Sequence, residues 1–455
     1  MEVKNNKFVI IGSGRSGICA AKFIAKEGGT ALLCDTKDLE QLKSEGFGVE
    51  ETIGVDGIIT HFGSNPDRED IKGAYAMILS PGAPDTIPPC VIAREEGVEI
   101  YSEIEFAYSF YKGQVVAITG TNGKTTTTTL VGELFRCGGR ETYVGGNIGD
   151  PFINYAKDAS EDAVISLEIS SFQLSQNRKL HPKVAVITNI TPDHLDRHKT
   201  MENYIAAKAR VFENMSGDDV VILNYDDPLT RALADNVKCK YVYFSLKEEV
   251  NGAYLKDDEI IINYDGNKFP IIRPSDMKLL GKHNAANTMC AVLSAYICGI
   301  DVDSIRKTLV EFSPVEHRME YVATKNGVKY INDSKGTNPE ATMVALDAIE
   351  TGLVIILGGY DKHSEFDELL GIIKDKDTRA VVVLGATKDK IIQSAQKCGY
   401  DRIYEVENYE QAVKKCAELA ESGDYVLLSP ACASWDMFDN YETRGKVFKE
   451  LVRGL

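Results

Sequence analysis

Lys124 and the threonines after it form the densest chemical signal in this sequence. They close the segment VVAITGTNGKTTTTT at residues 115–129, where an apolar run meets a glycine-bracketed turn. Backbone N–H groups around Gly120, Thr121, Asn122 and Gly123 can cradle phosphate oxygens, and Lys124 can reach the terminal phosphates of a nucleoside triphosphate. Thr125 can offer its hydroxyl to Mg2+, with Thr126 beside it in the first helical turn. The strict phosphate-loop spacing wants a glycine five residues before Gly123, where Ile118 stands, so the loop is a shortened variant. An ordinary strand–turn–helix junction is the competing reading.

Further groups could join such a centre. Glu168 ends the apolar run 163–167, with Ser170, Ser171 and Gln173 behind it. His194 sits in NITPDHLD, and Lys208 follows in YIAAK on a predicted helix. Mg2+ prefers oxygen ligands and keeps waters and phosphates in its shell, which suits Thr125 and Glu168; His194 would be a less usual ligand. Taken singly, a strand-end carboxylate, a lone histidine and a helical lysine also have structural or solvated readings. A second glycine cluster, Gly12-Ser13-Gly14-Arg15-Ser16-Gly17, follows a strand and opens a helix, and Asp35 ends the next strand. That pattern fits a pyrophosphate at a helix terminus and a hydroxylated sugar, as in a nicotinamide dinucleotide or a UDP-sugar. Glycines kept for close packing would explain it too. A hydride-transfer enzyme would have no need of the second phosphate loop, so the pair points to two nucleotide-bearing ligands.

The elements that must hold these groups alternate between strand and helix. Lys7–Ile11, 30–34 and 75–79 read as strands and Arg15–Lys26 as a helix of a first α/β unit over residues 1–103. A second unit, 104–313, has strands at 115–119, 163–168 and 184–189. Within it, 240–274 reads as a small antiparallel addition rather than part of the main sheet, turning at Asp257-Asp258 and Asp265-Gly266. A third unit, 314–455, alternates strands at 329–332, 352–357, 380–384, 402–406 and 425–428 with amphipathic helices. In open parallel sheets ligands lie beyond the carboxyl ends of the strands. The polar clusters at 12–17, 80–82, 120–125, 168–173, 189–196, 332–338, 358–362 and 429–434 all fall there.

At 455 residues the chain is too long for one core. A net charge of −17 with no basic tract argues against a nucleic-acid partner. The ten cysteines are scattered without metal-site spacing, and no long apolar run suggests a membrane span or signal peptide. The composition therefore points to a cytoplasmic enzyme with reduced thiols. Cys432 reads as packing.

Taken in chain order, TGTNGKT, GGNIG at 145–149, LEISSFQL at 167–174, NITPDHLDR at 189–197, HNAAN at 283–287, His317-Arg318, NDSKGTN at 332–338 and LSPACASWDMF at 428–438 resemble the Mur ligase family throughout. The resemblance implies an α/β fold of three successive domains. A Rossmann-like N-terminal domain is followed by a P-loop-type ATPase domain with a small antiparallel addition and a Rossmann-like C-terminal domain. It implies an ATP-dependent amide ligase that adds D-glutamate to UDP-MurNAc-L-Ala through an acyl phosphate. The related folylpolyglutamate synthases would share the ATP centre.

By the same resemblance, Lys124, Glu168, His194 and Lys208 are catalytic. Two Mg2+ ions would rest on Thr125, Glu168, His194 and Lys208, the last carbamylated by CO2. ATP would also meet Asn284, Asn287, Arg318 and Asp333, between the second and third domains. Ser13, Gly14, Arg15, Ser16, Asp35, Thr36, Ser80 and Gly82 would bind the UDP moiety, with Asn147 and Gln173 near the muramoyl part. Lys335, Thr337, Lys362, Ser434 and Tyr441 would receive D-glutamate. Trp435 stands where a smaller aliphatic is common, and Tyr441 where phenylalanine is expected. Closure of the third domain, and a monomer, are the remaining expectations.

Overall fold

The computed structural model describes residues 1–455 except 280, 313–315, 348, 350–351, 362–363 and 377. Lys362 and the expected boundary between 313 and 314 lie outside the described residues. The described residues form three sheets. Compactness separates Met1–Ile272 with Ala286–Leu309 from Arg273–Ala285 with Val310–Leu455. The first of these units holds two of the sheets.

The first sheet contains β1 (Lys7–Ile11), β2 (Thr30–Asp35), β3 (Ile58–Phe62), β4 (Ala76–Leu79) and β5 (Glu99–Ser102), in the order β3-β2-β1-β4-β5. All its pairings are parallel. Strand cores such as Phe8, Val9 and Ile10 are buried on both faces, as a helix-covered parallel sheet requires. The order reverses beside β1, so the turn after β1 and the turn after β4 open side by side at the carboxyl edge.

The second sheet runs β14-β13-β12-β11-β10-β9-β6-β8-β7. Its members are β6 (Gln114–Thr119), β7 (Thr142–Gly146), β8 (Val164–Glu168), β9 (Val184–Ile187), β10 (Val220–Asn224), β11 (Lys240–Ser245), β12 (Gly252–Lys256), β13 (Glu259–Tyr264) and β14 (Asn267–Ile272). The expectation that residues 240–274 stand apart from the main sheet is corrected here. β11 pairs parallel with β10, and β12 pairs parallel with β11. The antiparallel pairings are those of β13, with β12 on one side and β14 on the other. The hairpins themselves form where the turn residues place them, with positive φ at Asp257, Asp258, Asp265 and Gly266. The hydrogen-bonding row of β10, which β11 completes, carries no sequence mark.

In the second unit the order is β15-β16-β20-β17-β18-β19. These are β15 (Glu320–Lys325), β16 (Val328–Asn332), β17 (Leu353–Leu357), β18 (Thr378–Val383), β19 (Ile403–Glu405) and β20 (Tyr425–Leu428). Sequence reading missed β15, which is antiparallel to β16 through a turn with φ of 52° at Asn326 and 80° at Gly327. The Asn-Gly pair was the available signal. Among the described residues, no helix is long and apolar enough to cross a membrane.

Candidate active site

The phosphate loop is built from backbone that only glycine tolerates. Gly120 has φ of 144°, and a Cβ there would lie 2.0 Å from Thr188 Oγ1. Gly123 has φ of 82°, and its Cβ would lie 2.2 Å from Asn287 Oδ1, which brings Asn287 to the loop. Thr188 and Asn189, just past β9, hold the turn. Thr188 Oγ1 donates to Asn122 O at 2.6 Å, and Asn189 Oδ1 accepts from Asn122 N at 2.9 Å. Gly123 caps the helix Lys124–Cys137 without a side-chain acceptor, which suits the first-turn N–H groups to an anion.

Two ammonium groups converge on one carbonyl. Lys124 Nζ donates to Gly120 O at 2.9 Å and to Thr121 O at 2.7 Å, and Lys208 Nζ donates to Gly120 O at 2.7 Å. Lys208 is only 2 % exposed, in the helix Met201–Ala209. Burial, and then the neighbouring Lys124 charge, push its pKa down to about 7, against a smaller opposing pull from Asp193. The alanine-rich helix gives no hint of this burial.

Glu168 ends β8 and is 2 % exposed. Its Oε1 accepts from Asn147 Nδ2 at 3.0 Å, while Oε2 is buried and has no hydrogen-bond partner. A buried, orphaned carboxylate oxygen fits a cation site. No three His, Cys, Asp or Glu side chains cluster as a metal cage among the described residues. That sparse set still fits Mg2+, which keeps water and phosphate oxygens in its shell. His194 adopts φ of 53° at the N-cap of the short helix Leu195–His198. Its Nε2 lies 3.5 Å from Asp193 Oδ2, and its ring centroid is 5.0 Å from that of Phe172.

Gly14, Arg15, Ser16, Asp35, Thr36, Ser80 and Gly82 line one cavity of about 700 Å³, together with Phe47, Asn65 and Ile87, which sequence reading missed. Asp35 Oδ2 accepts from Ser13 N at 2.8 Å, and Ser80 Oγ donates to Gly12 O at 3.1 Å. These bonds fix the turn after β1 against the end of β2 and the turn after β4. Ser13 itself is buried, with its Oγ unpartnered. Gln173 is turned inward: Oε1 accepts from Ser170 N at 2.8 Å and Nε2 donates to Glu103 Oε1 at 2.6 Å. Burial pushes the Glu103 carboxyl up to about 7. Neither Glu103 nor its pairing with Gln173, 70 residues on, was visible as a motif.

In the second unit Asp333 accepts from Ser429 Oγ at 2.7 Å and Met319 N at 3.2 Å, and burial raises its pKa to about 6. Lys335 Nζ lies 5.7 Å from the Tyr441 ring, and Ser434 Oγ is buried without a partner. Thr337 is half-buried in the same segment. Sequence reading missed Arg444. Fully buried, it donates to Ser334 Oγ, Ser334 O and Cys432 O at 2.8–3.0 Å, tying segment 332–338 to segment 429–434. Cys432 is buried and its thiol is pushed up to about 11, as packing expects. Trp435 is 60 % exposed, with its ring 5.3 Å from Tyr360.

Residues 118–295 match the family model of the Mur ligase middle domain, and residues 317–432 match the Mur ligase, glutamate ligase domain. The chain is 45% identical over 458 residues to the UDP-N-acetylmuramoylalanine–D-glutamate ligase of Thermoanaerobacter sp. (strain X514), covering 100% of both. It is 42% identical over 457 residues to the enzyme of that name from Clostridioides difficile (strain 630), again covering 100% of both. The solved structure of UDP-N-acetylmuramate-alanine ligase MurC from Thermotoga maritima shares the fold, with a TM-score of 0.59 at 19% identity and 99% of each chain covered. So does a pseudomurein peptide ligase type C from Methanothermus fervidus, with a TM-score of 0.57 at 20% identity, covering 99% of this chain and 100% of that one.

Glu168→Gln keeps a partner for Asn147 and removes the charge. The rise in melting temperature that magnesium adds to ATP alone should shrink, with Mg–ATP affinity about tenfold weaker. An equal magnesium response in wild type and variant would show that the orphaned oxygen holds no cation.

Proposed function

Because this chain belongs to the Mur ligase family, we propose that it joins D-glutamate to UDP-N-acetylmuramoyl-L-alanine with ATP, a step in peptidoglycan precursor synthesis. The observation that carries this reading is identity of 42–45% along the whole chain to ligases of that name. The working division is residues 1–103 for the UDP substrate, 104–313 for ATP and 314–455 for the amino acid.

The chemistry follows from a poor electrophile. A carboxylate resists attack by an amine, so it must first gain a leaving group. The alanyl carboxylate oxygen attacks the γ-phosphorus, the bond to the β–γ bridging oxygen breaks, and ADP leaves. The amine of D-glutamate then adds to the acyl carbon, and inorganic phosphate departs with the former carboxylate oxygen and the amine loses a proton. Lys124, released from the carbonyls of Gly120 and Thr121, follows the phosphoryl charge. Thr125, Glu168, His194 and a carbamylated Lys208 would together hold two magnesium ions, which would neutralise the phosphate oxygens. In the amino-acid region, Lys335 and Lys362 suit the two carboxylates, while Thr337, Ser434 and Tyr441 offer hydroxyls. Asn284, Asn287, Arg318 and Asp333 are assigned to the nucleotide, and Asn147 to the muramoyl end. We place the enzyme in the cytoplasm as a monomer.

Lys208 becomes a carbamate when its neutral amine attacks CO2 and one proton leaves to solvent. With a pKa near 7, the neutral share rises from about a tenth at pH 6 to about nine-tenths at pH 8. Carbamate occupancy should climb through that window, read as a ¹³C carbonyl signal after adding labelled bicarbonate. Lys208→Ala should lose turnover at least about 100-fold and regain part of it with a short carboxylic acid. Full activity in that variant would remove the carbamate from the account.

A phosphate-release assay with UDP-MurNAc-L-Ala, ATP and a panel of D- and L-amino acids tests the substrate assignment. D-glutamate should stimulate release and appear in an amide product. Stimulation by another amino acid alone would move the chain to a sibling activity. Nucleotide binding with no amide product would mark a switch rather than a ligase.

A further inference from the structure

One side chain ties the proposed UDP-binding turn to the proposed phosphate centre. The guanidinium of Arg197 donates from Nη2 to Ala83 O at 3.0 Å and from Nη1 to Pro81 O at 3.4 Å. It therefore grips the main chain of the turn that carries Ser80 and Gly82. The same guanidinium lies 3.7 Å over the centroid of the Phe172 ring, close enough for a strong cation–π contact. A second tie runs parallel to it, from Gln176 Nε2 to Asp85 Oδ2 at 3.0 Å.

Behind Phe172 the contacts continue without a gap. The His198 ring stacks on Phe172 at 5.1 Å and 10°, and His198 Nε2 meets Ser171 Oγ at 2.9 Å. Tyr204 lies 5.1 Å from His198, and its hydroxyl is 3.2 Å from Thr121 Oγ1 in the phosphate loop. The four-residue helix Leu195–His198 is the junction, with His194 at its N-cap, Arg197 on the turn at 80–83 and His198 in the stack. Moving Arg197 therefore moves His194 relative to the UDP-binding turn.

We propose that Arg197 is a positioning residue that sets the distance between the acyl oxygen of the UDP-linked substrate and the γ-phosphorus of ATP. It touches main-chain oxygens and an aromatic ring, and it acts through the turn that it holds. In-line transfer needs those reacting atoms about 3–3.5 Å apart, and a misplacement of about 1 Å can lower the rate about 100-fold. Arg197 does not line the cavity formed by Gly14, Asp35, Ser80 and Gly82. Without it the main chain at 80–83 loses its hold on the Phe172 stack, and the Gln176–Asp85 bond is left to keep the spacing less tightly.

This inference rests on the proposed pairing of a UDP-linked acid with ATP. Wild-type turnover tests that pairing, and the ratio of variant to wild-type turnover tests Arg197. Arg197→Ala, Arg197→Lys and Phe172→Leu are compared in the full chain. Dissociation constants for UDP-MurNAc-L-Ala and for a non-hydrolysable ATP analogue are measured separately, alongside kcat and the melting temperature. Arg197→Ala should lower kcat about 100-fold while each dissociation constant moves less than about threefold. Arg197→Lys keeps the charge and one donor and should recover about tenfold of that loss, while Phe172→Leu should lower kcat about tenfold. If Arg197→Ala does not fold, the other two variants decide the matter by the same split. Unchanged kcat would overturn the proposal. So would a loss expressed wholly as weaker UDP-substrate binding, or one that merely follows a lower melting temperature.

Discussion

The carbonyl oxygen of Gly120 receives hydrogen bonds from the ammonium groups of both Lys124 and Lys208. Like charges brought this close oppose each other, and burial makes the opposition worse for Lys208. The arrangement is relieved when an anion enters, or when one lysine sheds its proton. The proposed triphosphate would provide the first route, and the proposed conversion of Lys208 to a carbamate the second. In a chain with a net charge of −17, this local concentration of positive charge suits the approach of a polyanion. The glycines around it, the uncapped helix start and the orphaned Glu168 oxygen gain their purpose from the same centre.

The scaffold serves that centre through parallel strands whose carboxyl ends open in the same direction within a sheet. β6, β8 and β9 are neighbours, so their carboxyl ends deliver the phosphate loop, Glu168 and Thr188-Asn189 to one place. In the first sheet β1 and β4 do the same for the turns at 12–17 and 80–83. Side chains then set the spacing between the turns. Asp35 holds Ser13, Ser80 holds Gly12, and Arg197 holds the main chain at Pro81 and Ala83.

Much of this was legible before any coordinates, because phosphate chemistry leaves local marks. Gly120, Gly123, Lys124 and Thr125 are adjacent in sequence, and their spacing carries their geometry. The turns at Asp257-Asp258 and Asp265-Gly266 were equally plain, since their backbone needs positive φ. What escaped were contacts between distant positions. β11 completes the edge of β10, and nothing in its alternation of residues says so. Glu103 reaches Gln173, Arg197 reaches Pro81, and Arg444 reaches Cys432 through single side-chain bonds with no recurring spacing. Asn326-Gly327 could have been read and was not, although it turns β15 into β16.

The central claim is that the γ-phosphoryl group passes to an oxygen of the UDP-linked acid before the amide forms. Placing ¹⁸O in the alanyl carboxylate of that acid and following the released phosphate by mass or ³¹P isotope shift tests it most directly. One labelled oxygen in the phosphate of each turnover is the predicted result. Unlabelled phosphate, with all of the label kept in the amide or lost to water, would contradict it.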